Sequence, residues 1–140
     1  MKPTLLVCAA VALAFLPFHR PTQNTDQPLI EFDYVHDYAT RDSTPQIEQC
    51  GYYLLLRGTI GHSGGYRPGA LVRLQGDTLA ARVSLYRAYD FDPKDWVVAS
   101  WTLRIGDLDS RVYHVILEAN GHRVIERDAK LSFRTESCAA

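Results

Sequence analysis

The chain has 140 residues, of which 46% are hydrophobic and 22% are charged, and its formal net charge is −1. This length supports one small domain with a single core of modest size. The sequence contains neither a basic run nor a basic stripe, so its composition argues against a nucleic-acid partner.

Residues 1–14 have the pattern of an export signal. Lys2 is a short positive region, an apolar segment follows it, and Ala12-Leu13-Ala14 matches a signal-peptidase site. We therefore predict that the mature protein is secreted or periplasmic and that it meets the membrane only during export. A retained anchor is the alternative, although the apolar run is shorter than the roughly 20 residues that span a bilayer.

Prolines interrupt a mostly polar segment at residues 15–28, which is predicted to be a flexible linker. The folded domain is predicted to occupy residues 29–140. Cys8 lies within the predicted signal, which leaves Cys50 and Cys138 in the mature chain. An even number of cysteines in an exported protein favours a disulfide, which would contribute roughly 4 kcal/mol in the chain-entropy model. Two free thiols are the alternative if the two sites lie at opposite ends of the domain.

Alternation of apolar and polar side chains dominates from Leu29 onward, and no segment has a convincing helical period. Seven strands are predicted, the first around residues 30–34 and the others at 52–60, 70–75, 78–88, 96–105, 112–119 and 123–133. Two-residue turns at Gly76-Asp77 and Asn120-Gly121 are typical of β-hairpins. Seven short strands without helices predict an all-β fold, an antiparallel seven-stranded β-sandwich.

The Asn-Gly turn also sets the register of the last hairpin. It places Glu118 opposite Arg123, a plausible exposed pair, and Leu117 opposite Val124. Continued along the strand, this register would turn the acidic residues inward and the later apolar residues outward. We therefore predict a β-bulge near residues 126–128 that restores the parity.

The pentapeptide at residues 61–65, Gly-His-Ser-Gly-Gly, matches the G-x-S-x-G pattern of a lipase nucleophile elbow. That elbow needs a strand, a sharp turn that presents the serine Oγ, and then a helix that helps to form the oxyanion hole. Here a β-pattern strand follows the glycines instead of a helix. We therefore interpret the stretch as a glycine-rich loop and expect no enzymatic activity. A small secreted hydrolase that uses Ser63 is the alternative.

No metal and no other cofactor is predicted. The register of the last hairpin places His114 and His122 on opposite faces, and the spacings typical of zinc sites do not occur. Asp90, Asp92 and Asp95 lie in one loop, but they do not follow the EF-hand pattern. A solvated turn is therefore favoured over a calcium site.

Four aromatic residues are the candidates for ligand binding: Tyr66, Tyr89, Phe91 and Trp96. They lie in or beside predicted loops, where aromatic rings stack on sugars or anchor a protein partner. The alternative is that they cover the ends of the sandwich. Trp101, by contrast, occupies an inward position and is expected in the core.

Two short stretches resemble known extracellular modules. The first is Gly58-Thr59-Ile60 followed by Gly69-Ala70, Val72 and Leu74, and the second is Leu108, Tyr113, Val115 and Leu117 followed by Gly121. The chain thereby resembles carboxypeptidase regulatory-like, transthyretin-like and fibronectin type III-like domains. This resemblance implies an immunoglobulin- or transthyretin-like sandwich without catalytic residues, which binds or supports partners at a cell surface or in the periplasm.

The sequence thus favours an exported, non-catalytic β-sandwich module whose partner is an envelope protein or a carbohydrate. A further hypothesis is that residues 29–38 form an edge strand that pairs with a strand of another protein.

Overall fold

The structure, a computed structural model, describes residues 27–37, 43–88 and 96–132. These residues form eight strands and no helix. The strands are β1 Leu29–Asp37, β2 Gln46–Cys50, β3 Tyr53–Ser63, β4 Tyr66–Gln75, β5 Thr78–Arg87, β6 Trp96–Gly106, β7 Val112–Ala119 and β8 His122–Lys130. Nothing in the described ranges forms a helix of the length and hydropathy that a membrane span needs.

The strands form two four-stranded sheets that pack face to face. The first sheet has the order β1-β6-β3-β2 and is antiparallel throughout, and the second has the order β4-β5-β7-β8. The predicted all-β fold with two sheets is therefore confirmed. In the second sheet β5 and β7 run parallel, so the prediction of a wholly antiparallel sandwich is wrong at that pairing.

The structure has eight strands where seven are predicted, because the residues of β2 also join a sheet. β2 has the sequence Gln-Ile-Glu-Gln-Cys, which carries too few apolar side chains to show a strand period. It becomes a strand by pairing with β3, from Gln46 opposite Arg57 to Cys50 opposite Tyr53. An edge strand of this kind depends on the open edge of its neighbour more than on its own pattern.

Alternate residues of the central strands supply the core between the sheets. The buried side chains include Leu54, Leu56 and Ile60 of β3, Leu79, Ala81 and Val83 of β5, Ala99, Trp101, Leu103 and Ile105 of β6, and Tyr113, Val115 and Leu117 of β7. Trp101 is the largest of them, and its ring lies against Gly58 of the neighbouring strand. A Cβ atom at Gly58 would stand only 2.5 Å from Cζ2 of this ring.

The β-bulge that resets the parity of β8 is present, but it lies at Val124 and not at 126–128. Leu117 pairs with Ile125, so Val124 is the extra residue and the predicted pairing of Leu117 with Val124 is wrong. The earlier bulge turns Ile125 and Ala129 toward the core, where Ala129 is fully buried. A bulge beside the turn restores the parity before any acidic residue has to face inward.

The predicted cross-strand neighbours Glu118 and Arg123 are confirmed as partners in the register. Their charges, however, have other partners. Glu118 forms an ion pair of 3.0 Å with Arg82 of β5, and Arg123 forms one of 2.8 Å with Glu126 of its own strand.

The connection from β6 to β7 crosses between the sheets and is held by two side chains. The hydroxyl of Tyr113 accepts a hydrogen bond of 2.9 Å from the backbone N–H of Asp109. The guanidinium of Arg111 lies 4.9 Å from the centre of the Tyr113 ring and forms an ion pair of 2.9 Å with Asp77. These contacts tie the crossover to the β4–β5 turn.

Cys50 ends β2 and is 1% exposed. The connection from β6 to β7 lies at the same end of the sandwich, because Leu54, close after Cys50, pairs with Ile105 near the end of β6. The last described residues contact this connection, since the Leu131 N–H donates a hydrogen bond to the Arg111 carbonyl. Cys8 and Cys138 lie outside the described residues, so the Cys50–Cys138 disulfide stays a prediction. The predicted signal at 1–14 and most of the predicted linker also lie outside them.

Candidate functional site

Trp96 is the most exposed large aromatic side chain among the described residues, and it stands on a regular strand. It is the first residue of β6, and 67% of its surface is exposed. Because side chains of a strand alternate between faces, the inward positions of Val97, Ala99 and Trp101 place Trp96 on the outer face of the first sheet. The exposure of Trp96 therefore follows from the alternation of β6, in which the next residue, Val97, takes the core side.

The positions on β3 beside Trp96 carry small side chains. Ser63 of β3 is the register partner of Trp96, and Gly61 is that of Val98. Val35 of the edge strand β1 lies diagonally beside Val98 and is itself largely exposed. We call these five residues the Trp96 platform. None of these five side chains is charged, although Asp37 of β1 is the register partner of Val98.

A groove of about 290 Å³ lies on the same outer face, further along β6. Most of its polar side chains are hydroxyls, from Ser43, Thr44, Thr59, Ser100 and Thr102, and Gln46 and Arg57 complete its polar lining. We call it the hydroxyl groove. The segment that forms its rim is held in place because the backbone N–H of Ser43 donates a hydrogen bond of 2.6 Å to Thr59 Oγ1.

The Trp96 platform and the hydroxyl groove form one continuous surface. Trp96 and Ser100 are four residues apart and point to the same side, which separates them by ~13 Å along the strand. Two ion pairs lie toward the other end of this face, Arg104 with Glu31 and Arg57 with Glu48, both at 3.4 Å, and Arg57 also lines the groove. The arrangement suits an extended, uncharged ligand that offers one apolar face and many hydroxyl groups.

The structure does not gather the four predicted ligand-binding aromatics into one site. Tyr66 is 38% exposed and begins β4, opposite Arg87, so it belongs to the second sheet. It shares an end of the sandwich with Trp96 but not a face. Tyr89 and Phe91 lie outside the described residues.

Residues 61–65 lie in a strand–turn–strand and not in a nucleophile elbow. β3 continues to Ser63, Gly64 and Gly65 form the turn, and β4 begins at the next residue. Gly65 has a φ of 92°, which explains its glycine. His62 is 3% exposed, and its Nδ1 lies 2.8 Å from the carbonyl oxygen of Ser63, to which it donates. Because His62 faces the core and Ser63 faces outward, the imidazole does not approach the serine hydroxyl.

A pair of histidines closes the core at this end. The rings of His36 and His62 meet edge to face, with centroids 5.2 Å apart. Burial, and then the charges of His62 and Arg67, lower the pKa of His36, which therefore stays neutral at physiological pH. His36 lies on the face of β1 that Phe32 and Tyr34 share, and the strand order β1-β6-β3 brings it beside His62.

His114 forms the other titratable cluster, on the outer face of the second sheet. Its Nδ1 lies 2.9 Å from Asp128 and its Nε2 lies 3.3 Å from Glu126. Hydrogen bonds with Asp128 and then with Glu126 raise the pKa of His114. Within residues 27–37, 43–88 and 96–132, no three His, Cys, Asp or Glu side chains are grouped so that they could hold a metal ion.

Comparison with known proteins finds no matching family model, no matching curated protein and no matching solved structure.

Proposed function

We propose that the protein is an exported, non-catalytic binding module that holds a neutral oligosaccharide on the outer face of its first sheet. The observation that supports this most directly is Trp96, which is 67% exposed on a regular strand and faces small residues on the next strand. An aromatic ring of this kind can stack on the apolar face of a sugar ring.

The energetic argument rests on the area that stacking would remove from water. Covering one face of the indole, roughly 100 Å², would contribute about 2.5 kcal/mol at the usual coefficient for apolar surface. The hydroxyl groove offers donors and acceptors for the remaining rings of the ligand. Since the side chains of the Trp96 platform are uncharged, a neutral sugar gains more there than a charged protein segment would.

Glycan binding by the purified domain tests this proposal. The chain is applied to an array of neutral oligosaccharides, and hits are titrated by isothermal calorimetry. We expect Trp96→Ala to weaken binding on the order of 50-fold, which is the lost stacking energy expressed as an affinity ratio. The matched control is Tyr86→Ala, because Tyr86 is also half exposed but lies on the outer face of the second sheet.

Retention of full affinity by Trp96→Ala, or an equal loss in Tyr86→Ala, would contradict the proposal. Absence of binding to any neutral glycan would contradict it as well.

A second pair of variants examines the hydroxyl groove. Ser100→Ala should weaken binding several-fold by removing a hydroxyl from the groove, whereas Ser84→Ala, on the second sheet, should leave it unchanged.

Export is part of the proposal and rests on the pattern of residues 1–14. Expression of the full chain with a C-terminal tag, followed by fractionation and intact-mass measurement, tests it. We expect a product shortened by 14 residues outside the cytoplasm. A full-length product confined to the cytoplasm would contradict export, and it would leave the outcome of the glycan-binding experiment unaffected.

We also propose that the sandwich is of the immunoglobulin- or transthyretin-like kind. In support, the Tyr113 hydroxyl bonds to the backbone of Asp109, four residues upstream, at the crossover between the sheets. Immunoglobulin-like domains use a tyrosine in this way at the corresponding corner. The parallel β5–β7 pairing departs from that pattern. A crystal structure that lacks the contact between the Tyr113 hydroxyl and Asp109 would overturn the assignment.

A further inference from the structure

On the outer face of the second sheet, one row of cross-strand neighbours has a charged residue at each end and apolar residues between them. Arg73 of β4 pairs with Ala80 of β5, Ala80 with Ile116 of β7, and Ile116 with Glu126 of β8. From one edge of the sheet to the other, the row therefore consists of a cation, a small apolar side chain, a large apolar side chain and an anion.

A hollow lies beside the middle of this row. It has a volume of about 190 Å³, and Ala80 forms part of its floor because its methyl side chain is much smaller than those of Leu71, Arg73 and Ile116. Leu71, Arg73 and Ile116 stand around it, and Arg82 and Glu118 close the remaining side. Leu71 is nearly half exposed, so the hollow opens directly to solvent. A branched apolar side chain from another molecule would fit this depression.

The charges at the two edges of the row are complementary to each other. Arg73 has no ion pair or side-chain hydrogen bond within the part of the chain that the structure describes. Glu126 keeps its negative charge, because hydrogen bonds with Arg123 and then with His114 lower its pKa. The two groups lie at opposite edges of one sheet, so they do not reach each other within a molecule.

A twofold axis parallel to the strands would bring them together between two molecules. Such an axis reverses the strand order, so that β4 faces β8 of the second copy and β5 faces β7 of the second copy. Arg73 then lies opposite Glu126 of the other molecule. At the same time Ile116 lies over the Ala80 hollow of the other molecule. Each of these contacts occurs twice, as a self-complementary interface requires.

The adjacent rows agree with the same axis. In the next row, Arg82 and Glu118, which already pair at 3.0 Å, would lie opposite Glu118 and Arg82 of the second copy. On the other side, Gln75 of β4 would face Asp128 of β8. No row places two like charges against each other, and aligned sheets pack face to face in this way about 10 Å apart.

We propose that the protein forms a twofold homodimer through the outer face of the second sheet, with Arg73–Glu126 pairs at its edges and Ile116 in the Ala80 hollow. This proposal does not rest on the glycan-binding function. A four-stranded face of this length buries ~900 Å² in total, which places the dimer at the weak end of specific interfaces. It leaves both Trp96 platforms free on opposite sides of the assembly.

Sedimentation velocity over a concentration series tests the dimer. The wild-type chain should pass from monomer to dimer as its concentration rises, and added salt should shift it back to monomer. Arg73→Glu and Glu126→Arg should each be monomeric, because each places like charges together twice. Arg104→Glu, the same charge change on the outer face of the first sheet, is the matched control and should dimerise like the wild type.

The decisive sample is an equal mixture of the two monomeric variants. Arg73→Glu and Glu126→Arg molecules carry complementary charges at both edges, so the mixture should form a heterodimer. The double variant should dimerise alone. A wild-type chain that stays monomeric at every concentration, or variants that dimerise unchanged, would overturn the proposal.

Folding of each variant is followed by circular dichroism. If Glu126→Arg does not fold, Ala80→Leu replaces it, because a larger side chain fills the hollow and should abolish the dimer with no change in charge. Dimerisation of folded Ala80→Leu at the wild-type concentration would refute the predicted packing of Ile116.

Discussion

Arg127 of β8 donates a hydrogen bond of 2.7 Å from its Nη2 to the carbonyl oxygen of Ile47 in β2. The two strands are edges of different sheets, so this side chain closes one open side of the sandwich. Arg127 is opposite Val115 and therefore points inward along the register. At the edge of the core, its guanidinium donates to a part-buried backbone carbonyl of the other sheet.

Replacement of Arg127 should loosen this side of the molecule. We expect Arg127→Ala to lower the free energy of unfolding by about 1–2 kcal/mol, since a charge-assisted hydrogen bond is lost and an acceptor is left unpaired. Urea denaturation measures this change in the free energy of unfolding. Arg123→Ala is the control, because its solvent-exposed ion pair with Glu126 should contribute little to stability. Equal losses in both variants would show that the link between the sheets has no special role.

The contact between Gly58 and Trp101 predicts a large effect of a single methyl group. Gly58→Ala should lower the free energy of unfolding by about 2–3 kcal/mol, because the new Cβ would stand 2.5 Å from the Trp101 ring in a close-packed core. Gly106→Ala is the control, since its Cβ would meet nothing closer than 3.7 Å. We expect that variant to be neutral or slightly stabilising. A melting temperature for Gly58→Ala equal to that of the control would disprove the close packing.

The Tyr113 hydroxyl should stabilise the crossover between the sheets. Tyr113→Phe keeps the buried ring but leaves the Asp109 N–H without its acceptor, which should cost about 1 kcal/mol. Tyr86→Phe is the matched control, because the Tyr86 side chain is more than half exposed. Chemical denaturation of both variants measures the difference. An unchanged stability of Tyr113→Phe would mean that water replaces the hydroxyl without loss.

His36 should make the fold sensitive to acid. Burial lowers its pKa from 6.5, so the unfolded chain binds a proton more readily than the folded chain. The contribution of neutral His36 is therefore fully present above pH 6.5 and is lost as the pH falls toward the lowered pKa. The unfolding free energy of His36→Gln, measured against pH, should fall less steeply on the acid side than that of the wild type. Parallel curves would contradict the assignment.

His114 should act in the opposite direction. Its pKa is raised above 6.5 by Asp128 and Glu126, so its contribution is fully present below pH 6.5 and is lost as the pH rises through the raised pKa. His114→Gln should therefore be less stable than the wild type below pH 6.5, and the difference should disappear as the pH rises through the raised pKa. NMR titration of the imidazole provides an independent check, and a His114 pKa below that of a free histidine would refute it.

The sequence by itself determined those features that depend on neighbouring residues. Alternation along 96–105 correctly turned Trp101 into the core and Trp96 out of it. The Asn-Gly pair correctly predicted the last turn, where Asn120 and Gly121 have φ values of 51° and 77°. Both follow from local backbone geometry, which a few adjacent side chains already specify.

Only the tertiary structure decided which strands meet. β2 has no apolar period and becomes a strand because β3 presents an open edge to it. The bulge at Val124, the parallel β5–β7 pair and the contact of His36 with His62 likewise follow from pairings between distant segments. Alternation states which face of a strand is buried but not which partner lies beside it. The surroundings of Trp96, and with them the proposed binding surface, therefore depend on the packing of the whole chain.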